Sequence, residues 1–445
     1  MPRKRRHPIV NTVLADALRE AGWSMTAAAK AVNEVGRQSG LPLSHGATAV
    51  AHWLTGTVPR PDTIQAAAEA FTRRLGRPVS ATDLGWPSAG LDRVDPWQGD
   101  PVAVLAALGE DDMLNRRTAL TTGLYSLAAL AVPASHPPPG TRQGGSQRAG
   151  AGDVDRIREM TRRMSDADDL YGGGHARAAV AAYLTRDVAP LLRGSTGRTR
   201  PALFTAAAEL AYLAGWMAAD AGAAGLAQRY YVQAVRLGEE AGDPLVRSTA
   251  LRSMAVQAVE LGHAAEGLAL ADAAASGLRQ RCPLRTRAWV TGMQAEANAA
   301  VGNHRQALAL LRVAEQELER ADSLPESAWT GNYRRESFEH QTGLTLTALA
   351  DLPAAEEHLA LSANSRRTIE RRSRALIGVR LAHLQARRGH TETSAQTVLG
   401  LREDLAAVSS ARVAGHLRVL RAAWQPCRAN PVVGGADRLA AGLLR

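Results

Sequence analysis

The sequence predicts an all-α protein: a compact helical block followed by a long array of helical hairpins. Three observations carry this expectation. Alanine and leucine dominate the apolar content, aromatics make up only 4% of the 445 residues, and β-branched residues are sparse, a mixture that favours helix over strand. Residues 9–87 are closely punctuated by helix start and stop signals. From Asp153 onward, turn residues recur at near-constant intervals through one continuous helical pattern.

At ~150 residues per domain the chain has length for two or three domains. The pattern divides it into a helical block over 9–87, a connecting helical segment over 88–132, a Pro/Gly-rich linker over 133–152 and a repeat domain over 153–445. The linker composition cannot bury enough apolar surface to order itself. The net charge of +10 is nearly all arginine, with Lys4 and Lys30 the only lysines. That bias looks like the coding habit of a GC-rich genome, so global charge does not by itself argue for an acidic partner.

In the first block, Gly22 is expected to end a helix running from Val10 to Ala21, and Ser24 to cap a second helix through its hydroxyl. After a loop holding Gly36, Gly40 and Pro42, Ser44 is expected to cap a third helix reaching Leu54, which Gly56 stops. Asp62 is expected to cap a fourth, with Ile64, Ala68 and Phe71 on its inner face.

This order resembles the Xre/phage-repressor helix-turn-helix family on Gly22, Trp23, Ser24, Ala28 and Ala29, then Val50, Trp53, Gly56, Pro59 and Pro61. The resemblance implies binding to double-stranded DNA, with the third helix in the major groove. Ala47, Thr48, Ala51 and His52 would then face bases, with Ser44, His45, Thr55 and Arg60 nearer the phosphates, and Val50 and Trp53 in the core. The chain departs from the family in an insertion over Glu34–Leu43 and in a reading surface poor in long hydrogen-bonding side chains. Alanine contacts to thymine methyls and DNA shape remain as readout. The basic arm of Arg3, Lys4, Arg5, Arg6 and His7 is suited to a minor groove or to phosphates, or else is a solvated tail. A protein-docking module is the other reading of the block.

In the repeat region, turns are expected at Gly222, Gly262, Gly302, Ala350 and Gly389, at spacings of 40, 40, 48 and 39. Seven residues before them stand Gly215, Ala255, Ala295, Gly343 and Ala382; five residues after stand Ala227, Gly267, Ala307, Ala355 and Ser394. Two helices joined by a tight turn approach closely only where their crossing lacks bulk, so paired small residues predict a hairpin, and five in phase predict a solenoid.

The region resembles tetratricopeptide (TPR) repeats, most closely at Gly215, Gly222, Ala227, Tyr231 and Ala234, although its units are longer than the family's and an extra segment with Trp329 and Tyr333 precedes the fourth. By the repeat phase, the first helices line a concave face with Tyr212, Trp216, Arg252, Val256, Trp289, Glu296, His340, Leu344, Arg380 and His383, expected to take a peptide, a small ligand or a protein. The architecture as a whole resembles actinobacterial Xre-type helix-turn-helix regulators with C-terminal TPR-like repeats. That resemblance implies a cytoplasmic, nucleoid-associated homodimer with no membrane contact; the alternative is a TPR-type interaction scaffold that touches no DNA.

Asn115 opens the stretch NRRTALTTGLYSLAALAVPA, which has the parts of an export signal but lies far inside the chain. Such use would require translation from Met113. The segment reads instead as a helix after the acidic residues Glu110–Asp112, with Leu120, Leu124, Leu127 and Leu130 on one face seeking a partner surface such as the same helix of a second subunit. Trp86, Trp97 and Leu105 are expected to complete a hinge between the domains.

No catalytic spacing stands out, so an enzyme is not expected. Lys30 lacks the preceding glycines of a phosphate loop, and the glycines from Gly172 form a turn. His45 and His52 have no third ligand, so neither a metal nor any other cofactor is expected. Cys282 and Cys427 lie far apart, which suits a reducing compartment. No uninterrupted apolar run of membrane-spanning length is present.

Overall fold

The computed structural model describes residues 8–87, 97–114, 124–133, 150–278, 282–321 and 333–445, and among these the chain is all-α. The first block contains α1 (Thr12–Glu20), α2 (Met25–Gln38), α3 (Ala47–Leu54) and α4 (Pro61–Leu75) around a core that includes Leu14, Val32, Val50, Trp53, Ile64 and Phe71. Ser24 caps α2 as expected, its hydroxyl accepting from the Ala27 amide at 3.2 Å. Two expected caps are corrected. The residue before α3 is Gly46, which extends the loop past Ser44, and α4 starts with Pro61 at its first position behind Arg60, so that Asp62 lies inside the first turn.

α5 (Pro101–Leu114) follows, then α6 (Ala151–Tyr171), α7 (Gly173–Tyr183), a π-helical turn at Leu184–Val188 and α8 (Ala189–Gly194). α6 begins inside the expected linker; residues 134–149 lie outside the described residues. Five hairpins come next: α9 (Thr199–Asp220) with α10 (Ala224–Ala241), α11 (Pro244–Glu260) with α12 (Ala264–Ser276), α13 (Leu284–Ala300) with α14 (His304–Glu319), α15 (Arg335–Ala348) with α16 (Leu352–Ser365), and α17 (Arg371–Arg387) with α18 (Thr391–Gly400). α19 (Arg402–Ala407), α20 (Ala411–Trp424) and α21 (Pro431–Leu443) end the chain.

All five turns adopt a left-handed backbone, with φ of 80°, 86°, 83°, 64° and 84° from Gly222 to Gly389. Ala350 is the only non-glycine among the described residues to do so. The small columns sit at the helix crossings: a Cβ on Gly215 would stand 2.7 Å from the Tyr231 ring, and one on Gly343 would stand 2.7 Å from Leu359. Ala255, Ala295, Ala382, Ala227, Ala307 and Ala355 are fully buried. α9 is long and apolar enough to cross a membrane by length and composition, but 83% of its apolar window is buried among its neighbours.

The segment behind the twin arginines is not the expected helix. Residues 115–123, including Leu120, lie outside the described residues; from Leu124 to Leu127 the chain is non-helical, with a single 3-10 turn at Ala128–Leu130. Its apolar side chains are already covered by the same chain: Leu124 joins the first core, while Tyr125 and Leu130 join the core of the repeats. Among the described residues, Leu124 and Leu130 are therefore not free to face a second subunit. Glu110–Asp112 belong to α5, and Asp112 is buried against Arg177 and the Tyr230 hydroxyl. Trp86 belongs to the first core, and Trp97 and Leu105 to the core of the repeats.

Candidate functional site

The solenoid closes on itself. In the open arrays that repeats usually form, each unit touches only its neighbours, yet here α17 packs on α6, and the turn before α20 meets the turn after α6. Ser409 donates its amide to the Tyr171 carbonyl at 2.9 Å. Gly172 leaves no room for a side chain there, since a Cβ would stand 2.4 Å from the Ser409 oxygen. Asp220 accepts from the Gly173 amide at 3.0 Å and from the Ser410 hydroxyl at 2.7 Å. Arg372 bridges Asp168 at 3.1 Å and Asp169 at 3.0 Å. Glu260, at the end of α11, receives Arg380 at 2.5 Å and also Arg412. The Arg380–Glu260 and Arg372–Asp169 pairs join residues 120 and 203 positions apart in sequence.

Inside the ring is a cavity of about 270 Å³. The first helices of the hairpins form most of its wall: Tyr212 and Trp216 from α9, Arg252 and Val256 from α11, Trp289 and Glu296 from α13, His340 and Leu344 from α15, and Arg380 from α17. His383, the tenth position expected there, lies outside this lining; it faces His416 instead, with ring centroids 6.0 Å apart. It is one turn beyond Arg380, where α20 rather than the cavity covers the helix.

The electrostatics follow from burial among many charges. His340 Nε2 faces Arg380 Nη1 at 2.9 Å, and because arginine only donates, this nitrogen accepts and the imidazole is neutral. Burial, then the Arg380 charge, hold its pKa well below the ordinary value. Burial pushes Glu260 up, but Arg412 and Arg380 outweigh it and bring the carboxyl to about 2, although 30% of its side chain is open. Burial raises Asp168 to about 6 against the pull of Arg372. The guanidinium carbon of Arg252 stands over the Trp289 ring, 4.3 Å from its centroid.

Several cavity residues had no mark in the sequence. Asp168, Asp169 and Arg412 come from helices outside the five hairpins, and only ring closure brings them in. Glu260 had one signal, its position two residues before the Gly262 turn. Tyr333 lies in the extra segment before the fourth hairpin.

In the first block, Thr48, His52, Ser44 and Arg60 are exposed, while Ala47, Ala51 and Thr55 are half-buried. The Thr55 hydroxyl donates to the His52 carbonyl at 3.0 Å. His45 stands in the loop before α3, not on it. Its Nε2 is 3.1 Å from the Thr63 hydroxyl, its ring meets Trp53 edge-on, and its backbone pairs with the Asn33 side chain, so it works as an internal strut. Arg3, Lys4, Arg5 and Arg6 lie outside the described residues.

The two halves are joined by polar contacts around the C-terminus of α2. Gln38 donates to the Leu261 carbonyl at 3.3 Å, and its oxygen takes Arg73 at 2.6 Å and faces His263 Nε2 at 3.1 Å. Tyr125 stacks on His263, and its amide donates to the Ser39 hydroxyl at 3.1 Å. Ser126 pairs with Gln228 through both backbone groups. Glu69 accepts from Arg73 and from the Leu127 amide, tying α4 into the same cluster.

A family model described as the SP15 N-terminal domain matches residues 14–87. None of the curated proteins matches this chain. Among solved structures, the crystal structure of Rap protein complexed with competence and sporulation factor is similar at 12% identity over 66% of this chain and 90% of that one, with a TM-score of 0.39, a likeness too slight to carry an argument. The matched family thus spans the four-helix block, and the closed solenoid rests on its own geometry.

Proposed function

We propose that the chain is a DNA-binding transcription regulator in which the first block contacts DNA through α3 and the closed solenoid senses a ligand in its cavity. The observation that carries this reading is the turn Glu260–His263. Glu260 lines the cavity, and within three residues Leu261 and His263 bond Gln38 at the end of α2. A ligand that shifts Glu260 against Arg380 and Arg412 therefore acts on the base of the helix preceding α3 through contiguous polar contacts. Such a ligand changes DNA affinity only by its differential affinity for the two arrangements. The reading carries with it a cytoplasmic, nucleoid-associated location and two copies on paired half-sites. Ring closure by Arg380 and Arg412 on Glu260 favours a small ligand over the extended protein segment that the scaffold alternative needs.

The test is recovery of genomic fragments by the full-length protein, alongside a Thr48→Glu, His52→Glu double variant. A shared sequence motif that disappears in the variant, with affinity falling steeply as salt is raised, supports the reading. Recovery indifferent to salt and to both substitutions overturns it in favour of the scaffold.

A further inference from the structure

Most charges around the cavity are matched. Arg372 holds Asp168 and Asp169, Arg380 and Arg412 share Glu260, and Arg366 stands 3.9 Å from Glu370. Two opposite charges are left over. Arg252 is only 9% exposed, yet it makes no ion pair and its Nε has no hydrogen-bond partner. Glu296, 7% exposed, accepts one hydrogen bond, from Gln341 at 3.1 Å, and forms no ion pair either. Gln341 in turn accepts from the Tyr333 hydroxyl at 2.9 Å, which fixes the orientation of its amide and leaves the second Glu296 oxygen unengaged.

A buried charge without a partner costs several kcal/mol, and the cost is removed when a complementary group arrives. The cation–π contact with Trp289 positions the Arg252 guanidinium, and its Nε, which makes no hydrogen bond, is a donor available to a planar acceptor such as a carboxylate. The two residues occupy neighbouring first helices, α11 and α13, on one wall of the cavity. Its volume, about 270 Å³, lies just under the ~300–1,000 Å³ range of small-molecule pockets and excludes a folded partner.

Resting on the sensor reading above, we propose that the cavity binds a small zwitterion of amino-acid to dipeptide size, its carboxylate on Arg252 and its ammonium on Glu296. A single carboxylate fits better than a dianion such as phosphate, because, among the described residues, Arg252 is the one arginine in the cavity lining without an ion pair, the other four being matched by Glu370, Asp168 and Glu260. One pole selects the acid, the other selects the amine, and a molecule lacking either leaves a buried charge unmatched.

The experiment measures saturable shifts in melting temperature and tryptophan emission of the full-length protein with free amino acids and free dipeptides. Each is compared with its N-acetyl and carboxamide derivatives, and inorganic phosphate serves as an anion-only control. The expected result is binding by one or more zwitterions, with a loss of roughly tenfold or more on blocking either end. Arg252→Gln abolishes that binding and Arg252→Lys retains part of it. In Glu296→Gln the N-acetyl derivative binds as well as the free amine. Equal binding of blocked and free compounds, binding of phosphate alone, or no binding by any zwitterion overturns the proposal. If Arg252→Gln does not fold, as read by circular dichroism, the blocked ligands and Glu296→Gln still decide it. DNA affinity is measured on the same wild-type preparation without ligand. Retained DNA binding with failed zwitterion binding rejects this site alone, whereas Arg252-dependent binding by a protein that does not touch DNA rejects the regulator and keeps the site.

Discussion

Gln38 and His263, separated by 225 residues, meet side chain to side chain at 3.1 Å, and this contact fastens the first helical block to the turn of the second hairpin. Burial and the Arg73 charge lower the pKa of His263, so the contact is one between neutral groups at neutral pH. Replacing Gln38 by Ala leaves the Leu261 carbonyl and Arg73 without this partner, a loss of about 1–3 kcal/mol. Calorimetry of Gln38→Ala is expected to show the first block melting ahead of the solenoid. A single transition at the wild-type temperature would remove the contact from the account.

Glu260 makes ring closure dependent on pH. Its carboxyl is lowered from 4.5 to about 2 in the folded state, so its contribution is fully present above pH 4.5 and is lost as pH falls toward 2. Glu260→Gln is expected to destabilise the protein by about 1–3 kcal/mol at pH 7, discounted for the partial exposure of the side chain. The gap between wild type and variant should narrow steadily below pH 4.5 in denaturant titrations. A gap that is constant down to pH 3 contradicts the assignment.

Tyr125 is fully buried, and its hydroxyl has no hydrogen-bond partner. Removing an unsatisfied buried hydroxyl relieves a desolvation penalty, so Tyr125→Phe is expected to be neutral or stabilising by up to ~1–2 kcal/mol. Tyr125→Ala deletes the ring that stacks on His263 and should cost about 3–5 kcal/mol. Urea midpoints of the two variants, at unchanged slope, distinguish packing from hydrogen bonding as the role of this residue.

Two hairpin substitutions should have opposite signs. Gly343→Ala drives a methyl against Leu359 and is expected to cost about 1–3 kcal/mol. Ala350 holds φ at 64°, a conformation that costs an L-residue roughly 1–2 kcal/mol. Ala350→Gly relieves it at the expense of a more flexible unfolded chain, for a net gain of up to about 1 kcal/mol. Thermal unfolding of both variants checks the repeat geometry, and a shift in the same direction for the two would contradict it.

The five turns and their flanking small residues were legible because each is a local requirement: a left-handed residue to stop one helix, and no bulk where the next crosses it. Nine of the ten positions that the same periodicity singled out, from Tyr212 to Arg380, lie on the wall of one cavity, since the inward face of a helix follows from its register. The capping positions were less legible. Ser44 and Asp62 are competent caps by residue type, but Gly46 and Pro61 suit the entry angles that packing imposes on α3 and α4. Leu124, Leu127 and Leu130 share a helical spacing, yet the amides of Tyr125, Ser126 and Leu127 donate to the side chains of Ser39, Gln228 and Glu69, which holds the backbone in a non-helical path.

By itself, the sequence determined the helical class, the hairpin periodicity and the inward face of the repeats, all set by contacts within about one turn of helix or across one hairpin. Tertiary structure alone decided that the solenoid closes into a ring, that Arg252 and Glu296 remain without ion pairs inside it, and that the Glu260–His263 turn faces the cavity on one side and Gln38 on the other. The reason is that closure accumulates small rotations over five hairpins and is then secured by charge pairs across 120 residues or more, such as Arg380 with Glu260. No local spacing in the chain records which arginine will reach which carboxylate.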